Sequence, residues 1–402
     1  MHIAEEKIKP YHWLMFAVCF LGTAFAGMAS TLMSVYLPVV VKDLPGTESA
    51  GSHISAYINS ISIAGAAVGG FLIGWISDGW GRKPGVIISI TLYSLFTILT
   101  GQMPGWWEVL ICRFFCGMGI GGILVTGTTM VVEEWPEKTK AILVGILSIS
   151  FPIGIFSAGA IDYFVSSWRE AFLVGIIPLA ISFLSWWTLK ESAKWTRDRN
   201  QHDWHAPKPE SLFDSIYGKD LLTASVIFGT MLIGLWALFS WMPTWVSSIV
   251  VGDSQEQRGL SMMLLGTGGL AGGFASGWLI NAWGPKRSLM LCFGLCTICS
   301  FLLFKTNSSF SPVVYAEIVV LALSFGASQG VLSVYIPGLF PVAVRGAATG
   351  FCFNTGRILT ALAVLFIGVL ESSLGGFSNA LFIFSLVFVI GLITTLFVKE
   401  KN

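Results

Sequence analysis

GGFLIGWISDGWGRK runs from Gly69 to Lys83, and GGFASGWLINAWGPK runs from Gly272 to Lys286, 203 residues later. Eight of the fifteen positions are identical. The frame of Gly, Phe and Trp persists, whereas Asp78 becomes Asn281 and Arg82 becomes Pro285. A landmark repeated at this interval divides the chain into two related halves, of which the second has shed charge.

The composition says where such a chain lives. Of 402 residues, 54% are hydrophobic and only 11% charged, against roughly 25% charged in soluble domains. Water cannot solvate that surface, and lipid can. Sixteen Trp and thirty Phe suit helix ends at the membrane interface. The net charge of +1 gives no general electrostatic grip on nucleic acid. All seven Cys (Cys19, Cys112, Cys116, Cys292, Cys296, Cys299, Cys352) lie in apolar runs and read as packing residues. Cys296-x-x-Cys299 has no further ligands nearby, so neither a metal nor a cofactor is expected.

Apolar runs long enough to cross a bilayer, about 20 helical residues, occur at 13–40, 53–77, 84–102, 106–133, 141–165, 170–189, 221–250, 259–282, 287–305, 311–339, 347–370 and 376–398. The expected fold is therefore an all-α membrane protein of twelve transmembrane helices. These divide as a six-helix bundle (1–189), a polar cytoplasmic linker (190–219) and a second six-helix bundle (220–402). The first run exceeds a signal-peptide core and is expected to remain uncleaved. With both termini cytoplasmic, inner loops hold seventeen Lys and Arg and outer loops four: Lys42, Arg169, Arg258 and Lys305. The positive-inside rule selects that orientation, in an inner (plasma) membrane.

Both copies of the opening stretch fall after the second helix of their half. A second pair agrees: Glu133-Glu134-Trp135-Pro136-x-x-x-Lys140 follows the fourth span, and Gly338-Leu339-Phe340-Pro341-x-x-x-Arg345-Gly346 the tenth. Two parallel halves with matched landmarks are the mark of a rocking transporter whose site lies between them. Gly117-Met118-Gly119-Ile120-Gly121 lies within a hydrophobic span with no preceding strand, so it is not a dinucleotide loop. No nucleophile elbow, phosphate loop or His-rich set occurs, and an enzyme is not expected.

Gly74-x-x-x-Asp78-x-x-Gly81-Arg82-Lys83, Arg113-x-x-x-Gly117-x-Gly119-x-Gly121 and Lys190-Glu191-Ser192-Ala193-Lys194-Trp195 stand in order on the expected helices. Through them the chain resembles the major facilitator superfamily over essentially its whole length. FPVAVRGAATGFCFNTGR, from Phe340 to Arg357, resembles the branch that carries organic acids and sialic acids with protons. The resemblance implies two pseudo-symmetric bundles, a monomer, and proton-coupled import of an anionic small molecule such as sialic acid by alternating access. The alternatives are a neutral sugar carrier and a drug or metabolite efflux antiporter. The latter usually carries Gly-Pro in helix five, where this chain has Phe151-Pro152. Aspartates common in the first helix of this branch are absent from LGTAFAGMASTLMSVYLP.

Ionisable residues within spans are costly and mark function. By resemblance, Arg113 and Glu317 face the transport path. Arg113 either pairs with a substrate carboxylate or forms a salt bridge with Asp162 or Glu108. Arg357, following Asn354 near mid-helix, is an anion anchor, and Glu317 and Asp162 are the available proton carriers. Ser30, Thr31, Ser34, Asn59, Ser324, Ser328 and Gln329, with Trp236 and Trp241, offer polar groups and flat rings to a hydroxylated substrate. Gly74, Asp78, Gly81, Arg82, Lys83, Glu133 and Arg345 are the expected inner-gate residues. Asp78 is placed to receive the positive end of a helix in the other half near Gly346. Asp78→Asn should therefore shift the gate equilibrium by about 0.3–2 kcal/mol, the range for a charge at a helix end. Unchanged transport and unchanged inner-side cysteine accessibility in that variant would remove the role.

Overall fold

The computed structural model describes residues 8–47, 51–200, 215–340 and 345–398. These residues form twelve membrane-spanning helices, because in lipid a backbone must satisfy its own hydrogen bonds. In the first half they are α1 (Pro10–Asp43), α2 (Gly51–Trp80), α3 (Arg82–Gln102), α4 (Trp106–Glu134), α5 (Glu137–Ser148 and Ser150–Phe164) and α6 (Trp168–Thr188). The second half has α7 (Ser215–Ile249), α8 (255–283), α9 (285–306), α10 (Pro312–Gly338), α11 (Arg345–Leu370) and α12 (Phe377–Phe397). Most extend a few residues past the apolar runs that foretell them. Of the polar segment after α6, Ala193–Asn200 is a short helix, and 201–214 lies outside the described residues.

Proline explains two irregularities. Pro152 cannot donate to the Ser148 carbonyl, and α5 breaks at Ile149. Pro178 cannot donate to Val174, and the 3₁₀ turn Phe172–Gly175 precedes it.

The repeated glycine frame has a mechanical cause. Gly81 adopts φ 120°, ψ 159° between α2 and α3, and its repeat Gly284 adopts φ 78°, ψ 162° between α8 and α9. This region is essentially closed to residues with a Cβ. Gly69 and its repeat Gly272 serve close approach instead: a Cβ on either would strike the backbone of the facing helix, at Met118 of α4 and Leu323 of α10 respectively. Gly117 and Gly121 meet Ser62 and Ala66 of α2 in the same way, a packing role for the α4 glycines.

Each turn is also fastened to the last helix of its own half, with opposite polarity. After α6, the Glu191 carboxylate accepts from the backbone N–H of Arg82 at 2.6 Å and of Lys83 at 3.2 Å, covering the start of α3. At the start of α9, Lys286 Nζ donates to the carbonyls of Val398 at 2.6 Å and Leu396 at 3.3 Å, closing the end of α12. Tyr11 at the start of α1 bonds both backbone groups of Lys190. The start of α1 and the ends of α6 and α12 therefore share one face of the bundle, the termini face.

The halves meet where α2 packs on α11, α5 on α8 and α1 on α7. Trp75, Trp80, Trp186, Trp187 and Trp278 stand 61–75% exposed on the flanks, toward the termini face. Gly284→Ala should lower stability by about 1–3 kcal/mol, the cost of that backbone region for a residue with a Cβ. Gly81→Ala should cost more, because its Cβ would also displace the Glu191 carboxylate. Thermal unfolding of the two variants in detergent measures the difference; equal losses would show that the Glu191 contact adds nothing.

Candidate functional site

A narrow cavity lies between the halves, lined from α1, α2, α4, α5, α7 and α8. Its polar wall is Ser30, Thr31, Ser34, Asn59, Ser62, Ser240 and Arg113, and its apolar wall includes Ile58, Ile63, Ile155, Met262, Phe239 and Trp236. Asn59 of α2 accepts from Ser34 Oγ at 3.3 Å and donates across the halves to the Ser240 carbonyl of α7 at 3.2 Å. The Trp236 ring meets Phe151 of α5 edge-on at 5.5 Å.

Arg113 is the cation of this cavity, and its residue is 0% exposed. Nη2 donates to the Ala29 carbonyl at 2.9 Å and to Ser62 Oγ at 3.5 Å, Nη1 to Cys116 Sγ at 3.3 Å, and Nε has no partner. Among the described residues no carboxylate pairs with it. Neither salt bridge open to it in the sequence is present, because Asp162 pairs with Arg258 instead. A buried guanidinium held only by neutral groups is costly until an anion joins it. Its fork suits a carboxylate.

Arg357 of α11 is also buried. Its guanidinium lies 4.3 Å over the Phe353 ring and faces Gly70 of α2, and Nη1 has no hydrogen-bond partner. Gly70 stands eight residues from Ser62 along α2, so Arg357 lies about 12 Å closer to the termini face than Arg113, at 1.5 Å per residue. Asn354 Nδ2 donates to the Gly350 carbonyl of its own helix, and the half-buried Gln329 leaves Nε2 unpartnered. Ser324 and Ser328 return their hydroxyls to their own helix carbonyls.

Trp241, Glu317 and Asp162 also lie away from the cavity wall, as do Arg357, Asn354, Gln329, Ser324 and Ser328. Trp241 is wholly buried within the second half, donating to the Val364 carbonyl at 3.1 Å with its ring against Phe377. Glu317 accepts from Asn307 Nδ2 at 2.7 Å and so fastens the turn between α9 and α10. Asp162 sits at the α5 end opposite the termini face, paired with Arg258 Nη2 at 3.1 Å. Arg258 itself is not the loop residue its polar surroundings imply: it lies in the first turn of α8 and is buried.

At the termini face, Arg82 gathers the expected gate residues. Its Nε and Nη2 bond Glu133 at 3.0 and 2.7 Å, and its Nη1 bonds Asp78. Glu133 also accepts from Ser192 Oγ at 2.8 Å, and the Asp78 carbonyl accepts from Trp195 Nε1 at 2.9 Å. The side chain of Asp78 is 73% exposed. Gly81 lies against the Glu191 carboxylate at this corner, Gly74 faces Val125 of α4, and Lys83 is half-buried. Arg345 begins α11, but its side chain and the preceding 341–344 lie outside the described residues. Ser62, Ser240 and Arg258 escaped sequence reasoning. A hydroxyl among apolar residues carries no positional signal, and SQEQRG reads as loop.

Comparison with known proteins agrees with this fold. The chain is 26% identical to a cis,cis-muconate transport protein of Acinetobacter baylyi, covering 99% of this chain and 97% of that one. It is 26% identical to the sialic acid transporter NanX of Escherichia coli, over 87% and 85%. The crystal structure of a D-xylose-proton symporter superposes with a TM-score of 0.81 at 18% identity, over 97% and 98%, which shows the fold. The family model of the Major Facilitator Superfamily matches residues 19–364, and the chain belongs to that superfamily.

Proposed function

We propose that the protein imports a small organic acid or acidic sugar with protons, by alternating access and as a monomer, with the termini face in the cytoplasm. The carrying observation is Arg113, a fully buried cation on the cavity wall with no carboxylate partner among the described residues. A substrate carboxylate supplies the missing charge through two parallel hydrogen bonds. Hydroxyls of Ser30, Thr31, Ser34 and Ser240 with Asn59 serve the rest of the substrate, and Trp236 and Phe239 cover its apolar faces. Arg357 is the second cation on the way to the cytoplasm, with Asn354 on the same helix and Gln329 on α10. Relatives named for muconate and sialic acid transport support an anionic substrate, and sialic acid is the first to test.

Glu317 and Asp162 remain the proposed proton carriers. Neither is among the cavity-lining residues, so coupling on this reading acts through helix contacts rather than by touching substrate. Arg82, Asp78, Glu133 and Arg345, with Lys83 and the glycines 74 and 81, form the proposed cytoplasmic gate.

The test is uptake into proteoliposomes of labelled sialic acid, an unsaturated dicarboxylate, an aromatic acid and a neutral pentose, with and without an inward proton gradient. Accumulation of one acid that collapses with a protonophore is the expected result. Arg113→Gln should weaken its binding roughly 10- to 100-fold, from about 1.5–3 kcal/mol per charged hydrogen bond. Pentose uptake with no acid uptake would replace this reading by a neutral sugar carrier, and gradient-driven expulsion by an efflux antiporter.

A further inference from the structure

The face opposite the termini holds a charged contact between the halves. Asp162, near the end of α5, and Arg258, in the first turn of α8, pair at 3.1 Å and are 0% and 4% exposed. Among the described residues this is the one ion pair that joins the two halves. It is sealed by close packing on one side. Gly159 of α5 and Gly259 of α8 face each other so nearly that a Cβ on either would enter the other helix's backbone, at 2.6 and 2.8 Å. Gln255 Nε2 adds a bond from α8 to the Asp162 carbonyl at 2.7 Å. Asp253, before α8, is the other carboxylate acting on Asp162, and Tyr36 of α1 donates to the Ile161 and Val165 carbonyls, holding the end of α5 to its own half.

The pair is strong enough to hold and incomplete enough to release. Asp162 uses one oxygen, and Oδ2 has no partner; Arg258 uses both Nη atoms, on Asp162 and Ser254, and Nε has none. Removing one partner leaves the other charge buried alone, which is strongly destabilising. Parting the helices together lets water reach both charges, so the contact is stable shut and tolerable open, and costly only when half present. A rocking carrier must separate α5 from α8 here to admit substrate to the cavity, whose wall includes Ile155 of α5 and Met262 of α8.

We propose that Asp162 and Arg258 are positioning residues for transport: they form the latch that holds the outer entrance shut while the cavity serves the other side. The latch holds for a proton-driven or a passive carrier alike. Its assignment to the outer face rests on the orientation proposed above.

The test places a single reporter, Ser34→Cys, on the cavity wall and follows its labelling by a membrane-impermeant thiol reagent in right-side-out and inside-out vesicles. All seven native Cys are buried, and the parent without the reporter sets the background. No substrate is needed, so the result does not depend on which acid is carried. Asp162→Asn and Arg258→Gln should each raise labelling several-fold from the outside. Arg258→Lys, which keeps the charge, should stay within twofold of the parent and serves as the folded reference. The exchange Asp162→Arg with Arg258→Asp should return labelling toward the parent level. Single variants that label as the parent does would overturn the latch, as would an exchange that fails to restore labelling in protein eluting as the parent does. A rise confined to inside-out vesicles would keep the latch and overturn the orientation.

Discussion

A buried guanidinium in a membrane protein must have its charge answered, and three arginines here are answered in three ways. Arg258 meets a carboxylate of the other half and closes an entrance. Arg357 rests on an aromatic face beside a glycine of the other half. Arg113 has only a carbonyl, a hydroxyl and a thiol, all neutral. Burial without a counter-charge costs several kcal/mol per ion. The fold carries that cost at the cavity wall, where, on the proposed reading, a substrate relieves it. The fixed pair joins the two halves, and the proposed role of the unfixed charge is to give them something to close around.

Much of the architecture was legible in the sequence, because lipid leaves the backbone few choices. Twelve apolar runs announce twelve helices, and their predicted ends lie within a few residues of the observed ones in most cases. The 203-residue repeat points to the Gly81 and Gly284 turns, although only their φ and ψ values reveal why glycine is kept. Arg113, Ser34, Asn59 and Trp236 could be chosen by depth along a helix and by polarity, and they stand on the cavity wall.

What escaped depends on rotation about helix axes, which a single sequence leaves open. Trp241 lies five residues from Trp236 on α7, one turn and a half away, and so turns into its own bundle. Glu317 occupies a spot near the symmetry mate of Arg113, yet the turn before α10 brings Asn307 to it first. Asp162 and Arg258 are 96 residues apart in chain and belong to different halves. Their meeting follows from the α5–α8 contact, which no local pattern encodes. The loss of Asp and Arg from the second copy of the frame also has a physical reading now. Lys286 reaches the carbonyls at the end of α12, so that turn is fastened without a carboxylate cluster.

The placement of the tryptophans governs what light can report about this molecule. Of sixteen indoles, Trp236 stands on the cavity wall, while Trp75, Trp80, Trp186, Trp187 and Trp278 lie open on the flanks. Intrinsic emission is therefore weighted toward rings facing the lipid or detergent, and a ligand entering the cavity perturbs a small fraction of it. A bulk fluorescence titration registers the amphiphile as much as the ligand. Subtracting the spectrum of a Trp236→Phe protein isolates the one emitter that, among the described residues, stands on the cavity wall.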